Sequence, residues 1–158
     1  MPASSIPSLL IATLACLACC GAHATLGGSP SDFSNAATVR ARQLSAPAVA
    51  GAGTVTSYNV KETTLDSGTV VREYVGAGGA VFAVSWSGPF LPDLRTLLGA
   101  QFATLTAENA ARPRGRRGQL RVARADVVIE SGGHMRAWSG RAWLTGALPA
   151  GFDTAVIE

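Results

Sequence analysis

Strand-forming residues dominate two stretches of the chain, Val55 to Leu65 (VTSYNVKETTL) and Thr69 to Val75 (TVVREYV). Val, Thr and Tyr fit a pleated, half-buried surface, so each stretch predicts a strand. Asp66-Ser67-Gly68 between them predicts the turn. A two-residue turn at Ser67-Gly68 would set Glu62 against Glu73. A three-residue loop with Gly68 left-handed sets Leu65 opposite Thr69, Glu62 opposite Arg72 and Lys61 opposite Glu73. Like charges repel directly across a ladder, so the three-residue loop is the expected register, with two exposed cross-strand ion pairs.

Gly76 to Gly79 predicts the next turn. Ala80 to Trp86 (AVFAVSW) is almost wholly apolar and reads as a strand covered on both faces. Leu91, Leu94, Leu98, Phe102 and Leu105 then fall at steps of three and four, the apolar stripe of one helix. It should start near Pro92 and end near Ala111, before Pro113, and rest on a face built by Phe82, Val84 and Trp86. Leu120 to Glu130 and His134 to Leu144 read as strands around a Ser131-Gly132-Gly133 turn. The expectation is an α+β fold: one domain over residues 54–158, a mainly antiparallel sheet of about five strands in the order β-β-β-α-β-β, and one amphipathic helix on one face. Residues 25–53 are rich in Gly, Ala, Ser and Pro and read as a flexible N-terminal arm, with a short extended piece near Thr38 to Leu44.

The start of the chain has another character. Residues 1–31 carry no charged side chain, and Leu9 to Cys20 is apolar apart from Thr13. That run is shorter than the roughly 20 residues of a membrane span, and Ala22-His23-Ala24 follows it. Residues 1–24 therefore read as a secretory signal peptide cleaved before Thr25. The expected location is the periplasm; the alternative is a lipid anchor on Cys20 or Cys19. All three cysteines fall in this segment, so the mature chain would hold neither disulfide nor thiolate ligand and no transmembrane span.

Several stretches together carry a resemblance: Val60 to Leu65, Gly68 to Val75, Val81 to Trp86, Leu91-Pro92-Asp93-Leu94 and Gly140-Arg141-Ala142-Trp143-Leu144. The chain resembles a family of small exported proteins of Gram-negative bacteria, catalogued as a domain of unknown function. The resemblance implies an exported single-domain protein and supplies neither catalytic residue nor cofactor.

Charge adds one feature. Arg112 to Arg124 (RPRGRRGQLRVAR) holds six arginines and no acid, more positive charge than the chain's formal net +3. Such a run attracts polyanions, and in an envelope these are anionic lipid, lipopolysaccharide or an acidic protein. No aromatic residue interleaves the arginines, so nucleic acid is not the expected partner. Arg112, Arg114, Arg116 and Arg117 are the candidate anion contacts, weighed against a solvated loop. Trp138 and Trp143 are candidate partner contacts; five residues apart on one strand, they should face opposite ways. His134, near Glu130 across the expected hairpin, offers too few ligands for a metal site. The favoured function is a non-enzymatic binding or accessory module of the envelope, with no cofactor. The alternative is a small periplasmic hydrolase or lyase using Glu62 and Glu73 as an acid–base pair, which needs the rejected register.

Overall fold

The computed structural model describes residues 25–45, 57–112 and 119–158. The elements are β1 (Ala36–Ser45), β2 (Ser57–Leu65), β3 (Val70–Val75), β4 (Val81–Gly88), α1 (Leu94–Leu98), α2 (Gln101–Ala111), β5 (Leu120–Ala123), β6 (Val127–His134) and β7 (Ala137–Leu144). All seven strands join one antiparallel sheet in the order β1-β2-β3-β4-β7-β6-β5. The α+β class and the antiparallel sheet are as expected; five strands and one helix understate the fold.

The first hairpin adopts the expected three-residue loop. Glu62 lies opposite Arg72, Lys61 lies opposite Glu73, and Gly68 has φ 81°. β1 adds a strand beyond it: residues 36–45, expected as a loose arm with only a short extended piece near Thr38 to Leu44, pair along the whole length of β2. Small residues and two arginines hide the alternation there, and β2 supplies the partner that fixes it.

Two more differences have local causes. The helical stripe is divided into α1 and α2 because Gly99 leaves the helical region at φ 54°, while Leu97 and Leu98 stay fully buried. Asp93 caps α1 by accepting from the Arg95 and Thr96 amides, so the helix begins at Leu94, two residues later than Pro92 suggested. The last block makes three strands, not two. The chain turns at Arg124 to Val127 and at Met135-Arg136, where Arg136 has φ 66°. Ser131-Gly132-Gly133 lies inside β6, not in a turn. A Cβ on Gly133 would sit 2.3 Å from the Ala137 carbonyl oxygen, so glycine here serves close approach of backbones.

Both faces of the sheet are covered. On one, Val71, Val81, Val84, Trp86, Val127, Ile129 and Ala142 meet the leucines of α1 and α2. On the other, Tyr58, Val60, Tyr74, Phe82, Val128 and Trp143 meet Leu148, Phe152 and Ile157 of the C-terminal segment. Phe82 was expected on the helix side. A bulge where Tyr74 pairs Ala83 but Val75 pairs Val81 moves it to the other face, beside Phe152 at 5.0 Å between ring centroids. Among the described residues no helix is long and apolar enough to cross a membrane.

Candidate functional site

The face under the C-terminal segment carries polar residues in a single row. Following the registers from edge to edge gives Arg40, Glu62, Arg72, Ser85, Arg141, Glu130 and Arg121, one residue from each of the seven strands. Arg72 Nε donates to Glu62 at 2.8 Å, and Arg141 Nε donates to Glu130 at 2.7 Å. Arg121 reaches the other Glu130 oxygen at 3.4 Å. The next row, two residues along each strand, is Arg42, Val60, Tyr74, Ala83, Trp143, Val128 and Ala123. A charged row therefore borders one that is apolar apart from Arg42 at the β1 edge.

The C-terminal segment straps down the middle of this face. Arg141 donates to the Thr154 carbonyl at 3.3 Å, Tyr74 donates to the Val156 carbonyl, and Arg72 and Ser85 donate to the main-chain oxygen of Glu158. Phe152 fills the apolar box of Tyr58, Tyr74 and Phe82. The strap stops short of β1. Between it and β1 lies an open cleft of about 550 Å³, lined by Arg40, Arg42, Leu44, Val60, Arg72, Tyr74 and Val156 among others. Arg40 and Arg42 are exposed and make no ion pair among the described residues. The cleft thus offers two guanidinium groups that form no ion pair among the described residues, beside Leu44, Val60 and Tyr74, in a wall that also holds the carboxylates of Glu62 and Glu158.

The hairpin carboxylates do not meet. Glu62 is on the strap face and Glu73 on the helix face, so the acid–base pair has no geometry to work with. Nor is Glu73 an exposed partner of Lys61. It is fully buried, with Oε1 accepting from the Ser31 amide at 2.8 Å and the Ser31 hydroxyl at 2.9 Å. Its Oε2 has no hydrogen-bond partner among the described residues. Lys61 instead reaches the Ser31 carbonyl and Asp32. Burial is the main cause that raises the Glu73 pKa above the ordinary carboxylate value, outweighing the Ser31 hydrogen bonds and the Lys61 charge that lower it. A raised folded-state pKa means that the protonated form favours the fold. That contribution is complete below the unfolded-state pKa and is lost as pH rises through the folded-state value. Glu73→Gln is therefore expected to flatten this dependence. Urea midpoints across a pH series check it, and parallel curves for the two proteins would refute it.

The residues singled out in the sequence separate. Arg112 and Trp138 line one cleft of about 300 Å³ on the helix face, together with Phe102, Leu105 and Asn109. Trp143 points the opposite way, as its spacing required. It is buried in the strap-side core with Arg141 stacked over its ring at 5.5 Å. Arg114, Arg116 and Arg117 lie outside the described residues, as do Cys19, Cys20 and the signal-peptide reading. His134 is exposed at the end of β6, and Glu130 turns to Arg141 instead of His134. Among the described residues no cluster of His, Cys, Asp and Glu is suited to a metal ion.

The sequence reading missed Arg40 and Arg42. The available signal was their two-residue spacing between Thr38 and Leu44, which places all four on one face of a strand.

A family model matches residues 22–157, a span that holds the whole sheet, both arginines and the strap as far as Ile157. The chain belongs to the DUF2844 family, described as proteins of unknown function. No curated protein and no solved structure matches it. For this DUF2844 protein the geometry of the cleft carries the functional reading.

Proposed function

We propose that this protein is a non-enzymatic binding module of the bacterial envelope, and that it takes an anionic ligand with an apolar portion in the cleft between β1 and the strap. The observation that carries the reading is the pair Arg40 and Arg42, exposed and in no ion pair among the described residues, beside Leu44, Val60 and Tyr74; the nearby Glu62 is already held by Arg72. Arginine matches carboxylate and phosphate with a planar fork of donors. The volume is in the range of small-ligand sites. The leader-like residues 1–24 support export.

Decyl phosphate, below its micelle-forming concentration, is the probe. Each charge-assisted hydrogen bond contributes roughly 1.5–3 kcal/mol, so Arg40→Gln and Arg42→Gln should each weaken binding by about tenfold or more. Titration calorimetry at two salt concentrations reads both the loss and the flatter salt dependence of the variants. Equal affinity in wild type and double variant would remove the cleft reading. Protein recovered from cells with Met1 still attached would remove the export reading.

A second reading rests on the helix face, where Arg112 and Trp138 line one cleft and present a cation beside an aromatic ring. Binding that survives loss of Arg40 and Arg42 but not Trp138→Ala would favour it.

A further inference from the structure

The two edges of the sheet differ. β5 is four residues long, whereas β1 is ten. One side of β1 is paired with β2 throughout Ala36–Ser45, and among the described residues no strand pairs with the other. Alternate residues of an edge strand point their N–H and C=O groups outward, a template for another extended chain. The side chains decide which chain fits. Thr38, Arg40, Arg42 and Leu44 share the strap face, while Val39, Ala41 and Gln43 share the other. Val39 is 54% exposed.

A second copy fits badly. In an antiparallel pair of β1 strands, opposed residues share a face. The central registers set Arg40 against Arg40, Arg40 against Arg42, or Arg42 against Arg42. Like charges directly across a ladder are destabilising. The same arginines welcome acids. Residues two apart on a strand are about 6.8 Å apart, so a partner strand with acids at alternate positions matches Arg40 and Arg42 without adjustment. Its intervening residues would lie beside Val39 and Ala41, where small or β-branched apolar side chains fit.

We propose that β1 accepts an extended acidic segment of another protein as an eighth strand, with carboxylates at alternate positions held by Arg40 and Arg42. This rests on the cleft reading above and names the source of its anionic groups. Main-chain hydrogen bonds supply affinity, and the arginines set register and exclude self-pairing. The exposed Val39 then gains a neighbour on the opposite face.

The test uses the exported chain and a synthetic peptide of β1's length that alternates Glu with Val and Thr. A second peptide of the same composition has its Glu residues grouped at one end. Hydrogen exchange at the Ala36–Ser45 amides is the main readout, because strand addition protects backbone that side-chain binding leaves open. The alternating peptide should bind, protect alternate β1 amides and lose affinity with salt. The grouped peptide should bind about tenfold more weakly, the loss of about one charge-assisted bond. The double variant Arg40→Glu, Arg42→Glu should lose the acidic peptide and accept one alternating Lys with Val and Thr, with the same protected amides. Should that variant not fold, Arg40→Gln with Arg42→Gln reads the loss alone.

Acidic peptide bound without β1 protection would overturn strand addition and leave the anionic cleft standing. Binding of decyl phosphate but of no peptide would do the same. Protection that rises with protein concentration in the absence of peptide would put a second copy on the edge and also overturn the proposal. If neither peptide nor decyl phosphate binds, both readings fail together.

Discussion

Gly140→Ala is expected to destabilise the protein by about 3 kcal/mol or more, the upper range for overpacking a tight core. Gly140 lies in β7 directly across from Trp86 of β4 and Ser131 of β6. A Cβ there would stand 2.2 Å from Cζ2 of the Trp86 ring and 2.6 Å from the Glu130 carbonyl oxygen. Neither neighbour yields cheaply. Trp86 is almost fully buried among the residues that seat α1 and α2, and the Glu130 carbonyl belongs to the β6 backbone. The ring must leave its place over the sheet, or β7 must separate from β6. Urea denaturation should show a lower midpoint with little change in slope if the native fold is kept. Trp86→Leu removes Cζ2 and should make the added methyl less costly, a coupling that a double-mutant cycle reads. A Gly140→Ala protein with wild-type stability would mean that Trp86 does not lie over β7 as described.

Much of this fold was legible because charges and turn residues agreed. The first hairpin register followed from one electrostatic choice at Glu62, Lys61, Arg72 and Glu73. β4 was legible as a strand buried on both faces from its unbroken apolar run. What failed did so where glycine has two meanings. Gly132-Gly133 reads as turn punctuation, yet both lie within β6, and the close approach of β7 requires glycine at 133. The actual turn at Met135-Arg136 carries no turn residue. Phe82 illustrates a further limit: alternation predicts faces only where the ladder is regular, and a bulge moved this ring to the other core.

The candidate site was less legible for a related reason. Six arginines in a short run stand out in a sequence; two arginines in a Gly- and Ala-rich neighbourhood do not. Arg40 and Arg42 gain meaning only when β1 is paired, because pairing brings them beside Val60, Tyr74 and Arg72 from distant parts of the chain. Glu73 shows the reverse. Cross-strand reasoning placed it opposite Lys61 correctly, but the Ser31 segment that covers it comes from outside the hairpin. A carboxylate expected in solvent is therefore buried.

Arg141→Met is expected to cost about 2–3 kcal/mol, while Arg141→Met combined with Glu130→Leu should cost far less. The reasoning starts from Glu130, whose side chain is only 10% exposed and which sits between two arginines in the polar row. Arg141 is the close partner at 2.7 Å; Arg121, at 3.4 Å, is mostly exposed. Breaking a fully buried ion pair costs roughly 3–5 kcal/mol, because the remaining charge is left without compensation. Here Arg141 is 35% exposed and Arg121 still faces the carboxylate, so solvent and the second arginine reduce the penalty. Arg141 also stacks over Trp143 and holds the Thr154 carbonyl, and methionine keeps part of that apolar cover. Replacing both partners removes the stranded charge, and a buried pair exchanged for apolar residues is often nearly neutral. The four proteins of this cycle, compared by urea denaturation, separate the cost of an unpaired Glu130 from the value of the pair. A double variant as unstable as Arg141→Met alone would show that Arg141 acts through Trp143 and the strap. In that case hydrogen exchange at 154–158 should rise equally in both. A double variant that regains most of the lost stability, with protection at 154–158 unchanged, would assign the effect to the charge, and the polar row would stand as the element that fixes β6, β7 and the strap in one arrangement.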